Sequence, residues 1–350
     1  MTRILFLHHQ QRRHFKEEPG YNEVFRVFKS SGHDLETREF VYQTILLRLA
    51  ELHFTRLPET MDQLERIKTA WVEANGAFAP ILEQVVEIEH PDIIVNIMTF
   101  GTQSIHPEVF ALLRQRGHRF KTVTVFFDLE ESDPLIVLCL KLNLMHSDLV
   151  LLADDYFAYQ RVVERQGVFS DATNVDRALW LPFAVDTKVF TKRDLEKSRD
   201  ISLFGSSEGQ RIEFIRQLSE NFTNQFEHLG GYMTGDTFLS FDDYARAINQ
   251  SKIIVNTQTS TRRDQVKGRV KEVLACGTFL LEQDTPNTRR FLEGSGVILF
   301  SDFDDLRNKI RYFLNHERER EDIAAKTRQW MLARYSPQIY VSKIIEALNR

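Results

Sequence analysis

The sequence predicts an α/β protein built from two doubly wound halves, and three observations carry that expectation. Short apolar runs rich in Val, Ile, Leu and Phe recur along the chain, each followed by a segment with helical spacing. The alternation occurs twice, over residues 1–182 and again over 199–336, with a charged, apolar-poor run between. At 350 residues and 42% hydrophobic content, each half is long enough to bury a core of its own.

RILFLHH (3–9) reads as a buried strand, YNEVFRVFKSSG (21–32) as a helix stopped by Gly32, and DLETREFVY (34–42) as an alternating strand. An amphipathic region over 59–89 is expected to break near Gly76 and Pro80. DIIVNIM (92–98) and TVTVFFD (122–128) have the composition of parallel strands covered on both faces. Between them PEVFALLRQRG (107–117) is a helix with Pro in its first turn. DLVLLAD (148–154) adds a strand and DYFAYQRVVERQG (155–167) a helix. The run LWLPFAVDTKVFTKRDLEKSRD (179–200) breaks the pattern, and residues 183–198 are assigned as an interdomain linker.

A second series follows: strand DISLFGSS (200–207), helix QRIEFIRQLSENF (210–222), a short strand in FEHLGGY, helix FDDYARAINQ (241–250) and strand KIIVNTQ (252–258). GRVKEVLAC and TRRFLEG are helices, TFLLEQ and VILF (297–300) strands. FDDLRNKIRYFLNH (303–316) and REREDIAAKTRQWMLARY (318–335) are helices, and residues 337–350 hold a closing helix expected to pack back on the first half. The order implies two Rossmann-like domains facing across a cleft, with ligands at the carboxyl ends of the strands.

Bulk properties narrow the function. A formal net charge of −5 gives no global pull toward nucleic acid. Cys139 and Cys276 are far apart in apolar surroundings, which reads as two buried thiols of a reducing compartment. The opening MTRILFLHHQQRR has too short an apolar part for a signal peptide, and residues 135–145 are too few for a membrane span and include Lys141. The expectation is a cytoplasmic protein with no transmembrane segment. The 27 phenylalanines suit core packing and an apolar acceptor cleft, and QQRRHFK (10–16) reads as a solvated basic loop or a contact for an anionic surface.

Two stretches carry chemistry. DQVKGRVKEVLACG (264–277) crowds Asp264, Lys267, Arg269 and Glu272 at the start of a short helix. A helix amino terminus offers unsatisfied N–H groups and partial positive charge; with Lys267 and Arg269 it makes a pocket for phosphate oxygens. Glu272, one turn in, is placed to accept from vicinal hydroxyls of a ribose. A phosphate site beside a hydroxyl site suits a nucleoside-diphosphate sugar, whereas a solvated helix would pair Arg269 with Glu272 at i,i+3. The second stretch, DISLFGSSEGQR, puts Gly205, Ser206, Ser207 and Gly209 between a strand and a helix. Backbone N–H groups there can approach a pyrophosphate and Arg211 can neutralise it. It lacks both G-x-G-x-x-G and the P-loop Gly-Lys-Ser/Thr, which disfavours a dehydrogenase or P-loop kinase.

The ordered words LPFAVDTKVF, DISLFGSSEGQR, INQSKIIVNTQ, GRVKEVLACGTFLLEQ and FDDLRNKIRYFLNHERERE, over roughly residues 179–336, resemble the donor half of a nucleotide-sugar glycosyltransferase of GT-B architecture. The nearest likeness is to the CgeB-like (spore maturation protein-like) group, with a relation to glycosyltransferase family 4. The core R-x-x-E-x-x-x-C-G falls on Arg269, Glu272, Cys276 and Gly277. The family 4 E-x7-E pattern would put Glu272 on the ribose and its first carboxylate, near sugar and phosphates, on Asp264, a shorter side chain than the pattern has. In the first half the resemblance is loose and is carried mainly by FFDLEESDP and DLVLLADDY.

The resemblance implies a metal-independent hexosyltransferase (EC 2.4 type) with no cofactor beyond its donor. A UDP-sugar is the first guess, and the acceptor is an unidentified glycan, lipid, small molecule, protein or nucleic acid. The chain has no D-x-D in a metal-binding context, and the Asp pairs at 154–155, 242–243 and 304–305 read as helix caps. An inverting reaction needs a base, for which His8 and His9 at the end of the first strand, His106 and Asp128 are candidates; a retaining one leaves them for binding. A nucleotide-sugar epimerase of the same fold and a non-catalytic nucleotide-sugar-binding protein stay open.

Overall fold

The computed structural model describes residues 1–9, 23–42, 61–98, 105–127, 129–153, 155–164, 174–230, 239–261 and 263–350. These fall into two compact units, the first drawn from residues 1–181 and 342–350 and the second from 182–341.

In the first unit the elements are β1 (Thr2–His9), α1 (Glu23–Ser30), β2 (Leu35–Tyr42), α2 (Met61–Glu89), β3 (Ile93–Met98), α3 (Pro107–Gln115), β4 (Lys121–Phe126), α4 (Pro134–His146), β5 (Leu149–Leu152), α5 (Tyr156–Glu164) and β6 (Ala178–Trp180). The strands form one parallel sheet in the order β2-β1-β3-β4-β5-β6. Ile4, Leu5, Phe6 and Leu7 of β1 are all buried, as a strand covered by helices on both faces requires. The chain runs from β1 out to β2 and then crosses to β3 on the other side, so strand order reverses between β1 and β3.

The second unit repeats this topology with β7 (Arg199–Phe204), α6 (Arg211–Asn221), β8 (Phe226–Leu229), α7 (Phe241–Gln250), β9 (Ser251–Asn256), α8 (Gly268–Cys276), β10 (Phe279–Gln283), α9 (Pro286–Phe291) and β11 (Ile298–Phe300). Its parallel sheet is ordered β11-β10-β9-β7-β8, and the reversal lies between β7 and β9. Ile201, Leu203, Ile253, Val255, Phe279 and Leu281 supply its core from three adjacent strands. Helices α10 (Phe303–Asn315), α11 (Glu317–Tyr335) and α12 (Pro337–Leu348) complete the chain. The last is shared: Tyr340 packs edge-on against Phe183 in the second unit, while Ser342 bonds His33 at 3.1 Å and the Leu348 carbonyl accepts from Lys121 in the first.

Three expectations change in detail. α2 runs unbroken through Gly76 and Pro80. Both residues are exposed, so the Gly76 carbonyl, which loses its i+4 donor to the proline ring, is open to water. Residues 183–198 lie within the second unit: Phe183, Ala184, Val185 and Phe190 are buried, the Arg193 N–H donates to Asn249 Oδ1 at 2.8 Å and Lys197 donates to the Ser251 carbonyl at 3.0 Å. Of the Asp pairs, Asp155 caps the turn at Ala158, but Ser240 and Asp302 are the caps of α7 and α10, with Asp242, Asp243, Asp304 and Asp305 in the first turns. Among the described residues no helix is long and apolar enough to cross a membrane.

Candidate functional site: an arginine pair where the second sheet reverses

Strand β7 ends in Phe204 and turns through Gly205, whose φ of +103° favours glycine. A Cβ there would lie 2.2 Å from Arg269 Nη2 and 3.1 Å from Arg211 Nη1, so the two guanidiniums meet over this glycine. Their anchors come from the end of the neighbouring strand. Arg211, the first residue of α6 and 2% exposed, donates from Nη2 to the Thr257 carbonyl at 2.6 Å and from Nε to Thr257 Oγ1 at 3.2 Å. Its Nη1 reaches the Ser206 carbonyl at 3.3 Å. Arg269, in the first turn of α8, donates from Nη1 to Asn256 Oδ1 at 2.9 Å, and its Nε is buried with no hydrogen-bond partner among the described residues. Asn256 and Thr257 thus each hold one arginine across the gap between β7 and β9, the point at which an open α/β sheet takes its ligand.

The potential of this pair is visible in its neighbours. Burial, followed by the charge of Arg269, lowers the Arg211 pKa to about 9, still a cation at neutral pH. Lys267 is the N-cap of α8 but has no capping side-chain bond; its Nζ reaches Thr259 Oγ1 at 3.4 Å and Gln265 Oε1. At the other side His228 Nε2 meets the Gly205 carbonyl at 2.8 Å, and burial holds its pKa below the usual imidazole range. Gly209 also has a positive φ (+55°), and a Cβ there would strike the Thr259 carbonyl at 1.8 Å. The loops after β7 and β9 are therefore in backbone contact.

Glu272, 7% exposed, accepts from Tyr244 at 2.7 Å through Oε2. Burial raises its pKa, opposed by the Tyr244 bond and by the charges of Arg269 and Lys271. A Cβ on Gly268 would lie 3.7 Å from Glu272 Oε1, which puts that second oxygen beside the first residue of α8. Arg269 bonds Asn256, and among the described residues it forms no ion pair with Glu272.

Gly205, Ser206, Arg211, Lys267, Arg269 and Glu272 are therefore neighbours, and Ser207 stands half-buried in the same turn. Asp264 and the acceptor-side candidates are not part of this group. Asp264 accepts the Asn287 N–H at 2.8 Å and its own carbonyl takes Asn287 Nδ2 at 2.8 Å, which ties it to the start of α9. His106 belongs to the first unit, where it is the N-cap of α3: its Nδ1 accepts the Glu108 N–H at 3.2 Å, and burial holds its pKa down to about 4. His8 and His9 end β1 beside the reversal of the first sheet, but their side chains and Asp128 lie outside the described residues.

Sequence reasoning missed Tyr244, Asn256, Thr257, His228 and Glu282. The last had a signal: in TFLLEQ a carboxylate follows four residues destined for a covered strand, and a charge there needs partners. Glu282 is fully buried, accepts from Asn256 Nδ2 at 2.8 Å, and burial pushes its pKa up to about 8 against the nearby charges of Arg269, Arg211 and Lys267. A separate group of Glu83, Glu87 and His118 has metal-ligand spacing, but Glu83 is already bonded to Arg116 and His118.

A family model described as glycosyl transferase-like matches residues 202–346. That span contains every member of the arginine group and none of the first-unit candidates, and it runs from within β7 through the rest of the second sheet. No curated protein sequence matches the chain. Among solved structures, sucrose-phosphate synthase from Thermosynechococcus elongatus is similar with a TM-score of 0.63 at 11% identity, covering 99% of this chain and 98% of that one. HepE from Anabaena, solved with UDP, is similar with a TM-score of 0.60 at 14% identity over 100% of both chains. A UDP-N-acetylglucosamine 2-epimerase is similar with a TM-score of 0.54 at 11% identity over 100% of this chain and 97% of that one. At such identities the likeness concerns fold, and the fold is the two-domain GT-B architecture.

Proposed function

We propose that the protein is a glycosyltransferase that moves a sugar from a nucleoside-diphosphate donor, a UDP-sugar first among them, with the donor held on the second unit. One observation carries the reading: Arg211 and Arg269 converge on Gly205 where the strand order reverses. Two like charges held together at a strand end call for an anion, and a diphosphate supplies one with oxygens for both forks. In this reading Lys267 and the first N–H groups of α8 add to the diphosphate site, the Gly205–Ser207 turn lets the backbone approach it, and Glu272 Oε1 accepts from the ribose.

Charge grows on the leaving diphosphate as the glycosidic bond breaks. Guanidiniums already fixed by Asn256 and Thr257 stabilise that charge without reorganising, which is the role a divalent ion would otherwise fill. The match to a glycosyl transferase-like model and the likeness of fold to HepE, solved with UDP, support the same reading. The acceptor base is proposed among His8, His9 and Asp128, since His106 is spent on the start of α3.

A thermal-shift screen of UDP, GDP, ADP and dTDP tests the donor site. One of them is expected to raise the melting point, and no shift from any of the four would sink the reading. The epimerase remains the second reading, because a protein of that activity has the same fold. Incubation of a UDP-sugar without acceptor separates the two: interconversion of the donor sugar favours the epimerase, and transfer only when an acceptor panel is added favours the transferase.

A further inference from the structure

We infer that Glu282 is a positioning residue that aims Arg269 at the donor diphosphate by fixing the side-chain amide of Asn256. The inference rests on the donor site proposed above. Asn256 and Glu282 are register partners on adjacent parallel strands, β9 and β10, so their side chains leave the same face at the same level. An asparagine amide has two chemically opposite ends, and here each end is committed. Nδ2 donates to Glu282 Oε2 at 2.8 Å, and Oδ1 accepts from Arg269 Nη1 at 2.9 Å. Were the amide turned over, its N–H₂ would face the guanidinium, donor against donor, and its carbonyl would face a carboxyl oxygen. The carboxyl group therefore selects the orientation that can hold an arginine.

Several features argue that this arrangement serves the site and not the core alone. Glu282 and Asn256 are both 0% exposed, and an apolar pair at these two positions would carry no polar penalty. Among the described residues Glu282 Oε1 has no hydrogen-bond partner, a cost that an apolar side chain in its place would not carry. Arg269 gives one of its donors to Asn256 and turns Nη2 toward Gly205, the side proposed for the diphosphate. The next residue of β10 repeats the logic: Gln283 Oε1 accepts the Gln258 N–H at 2.8 Å, fixing the loop that follows Thr257. Strand β10 thus acts as a template that sets the end of β9, and the end of β9 sets both arginines.

Calorimetry on the full chain tests this with the best-binding diphosphate of the four and its nucleoside. Glu282→Met keeps the volume but cannot accept from Asn256; it is expected to weaken the diphosphate roughly ten-fold and leave the nucleoside unchanged. Glu282→Gln retains an acceptor for Asn256 and is expected to bind within about two-fold of wild type. In an Arg269→Ala background the Met substitution should cost nothing further, because the residue it positions is gone. Asn256→Leu, which breaks the same chain at its middle, should lose the same diphosphate-specific factor and stands in if the Met variant does not fold. Equal loss for diphosphate and nucleoside, or additive losses in the double variant, would overturn the inference while leaving the donor site intact. If none of the four diphosphates binds the wild type, the donor site falls, and the inference with it.

Discussion

At Glu272 one carboxylate oxygen is held by Tyr244 and the other stands at the mouth of α8, a division that leaves an acceptor for a pair of hydroxyls. Glu272→Ala is expected to cost ~1.5–3 kcal/mol of nucleotide affinity, the usual worth of charge-assisted hydrogen bonds. An unchanged dissociation constant in calorimetry would contradict the ribose role. Arg269→Ala should weaken a diphosphate more than its nucleoside, and Gly205→Ala should do the same by pressing a methyl group against Arg269 Nη2. The alanine at Gly205 also meets a backbone conformation that costs roughly 1–3 kcal/mol, readable as a lower melting point. These residues were partly legible beforehand. Arg269, Glu272 and Gly205 announce themselves by type and by position at element ends. Asn256, Thr257 and Glu282 do not, because their meaning depends on which strands become neighbours, and β9 with β10 or β7 is a pairing that no local pattern states.

At the scale of the element, α8 shows how a short helix can be held firmly enough to present charges at its start. Seven of its nine residues, from Val270 to Cys276, are buried, and it ends at Gly277 in the left-handed conformation (φ 68°). The Gly277 N–H closes back on Leu274, while Arg328 of α11 donates to the Ala275 carbonyl at 3.0 Å and complements the negative end of the helix. A Cβ on Gly277 would come within 2.9 Å of Arg328 Cδ. Gly277→Ala is expected to destabilise the second unit by ~1–2 kcal/mol, measured as a shift in denaturant midpoint at unchanged slope. Strand and helix types follow from periodicity throughout this unit. In the first unit strand β6 did not, because Ala178–Trp180 is three residues long and merges with the proline-containing run that follows. Nor did the continuity of α2, where exposure of both Gly76 and Pro80, a tertiary property, decides the outcome.

For the whole molecule, the buried carboxyl groups make stability depend on pH in a direction that can be worked out. Burial raises the Glu282 pKa from 4.5 to about 8, so the folded chain holds that proton more tightly than the unfolded chain does. The contribution is complete below the ordinary carboxylate range and is lost as pH climbs through about 8; Glu272, shifted the same way by burial, adds to the trend. Melting points are therefore expected to fall from mildly acidic to mildly basic solution, and Glu282→Gln should flatten part of that fall. A melting point of the Gln variant that tracks wild type across this range would show that Glu282 ionises as freely folded as unfolded. One further consequence comes from α12, whose first residues belong to the second unit and whose last, from Ser342, belong to the first. During synthesis the first unit must wait for residues 342–350, which are made after all of residues 182–341, whereas residues 182–341 can close around their own sheet before that last segment is translated. The part made second is the part that can finish first.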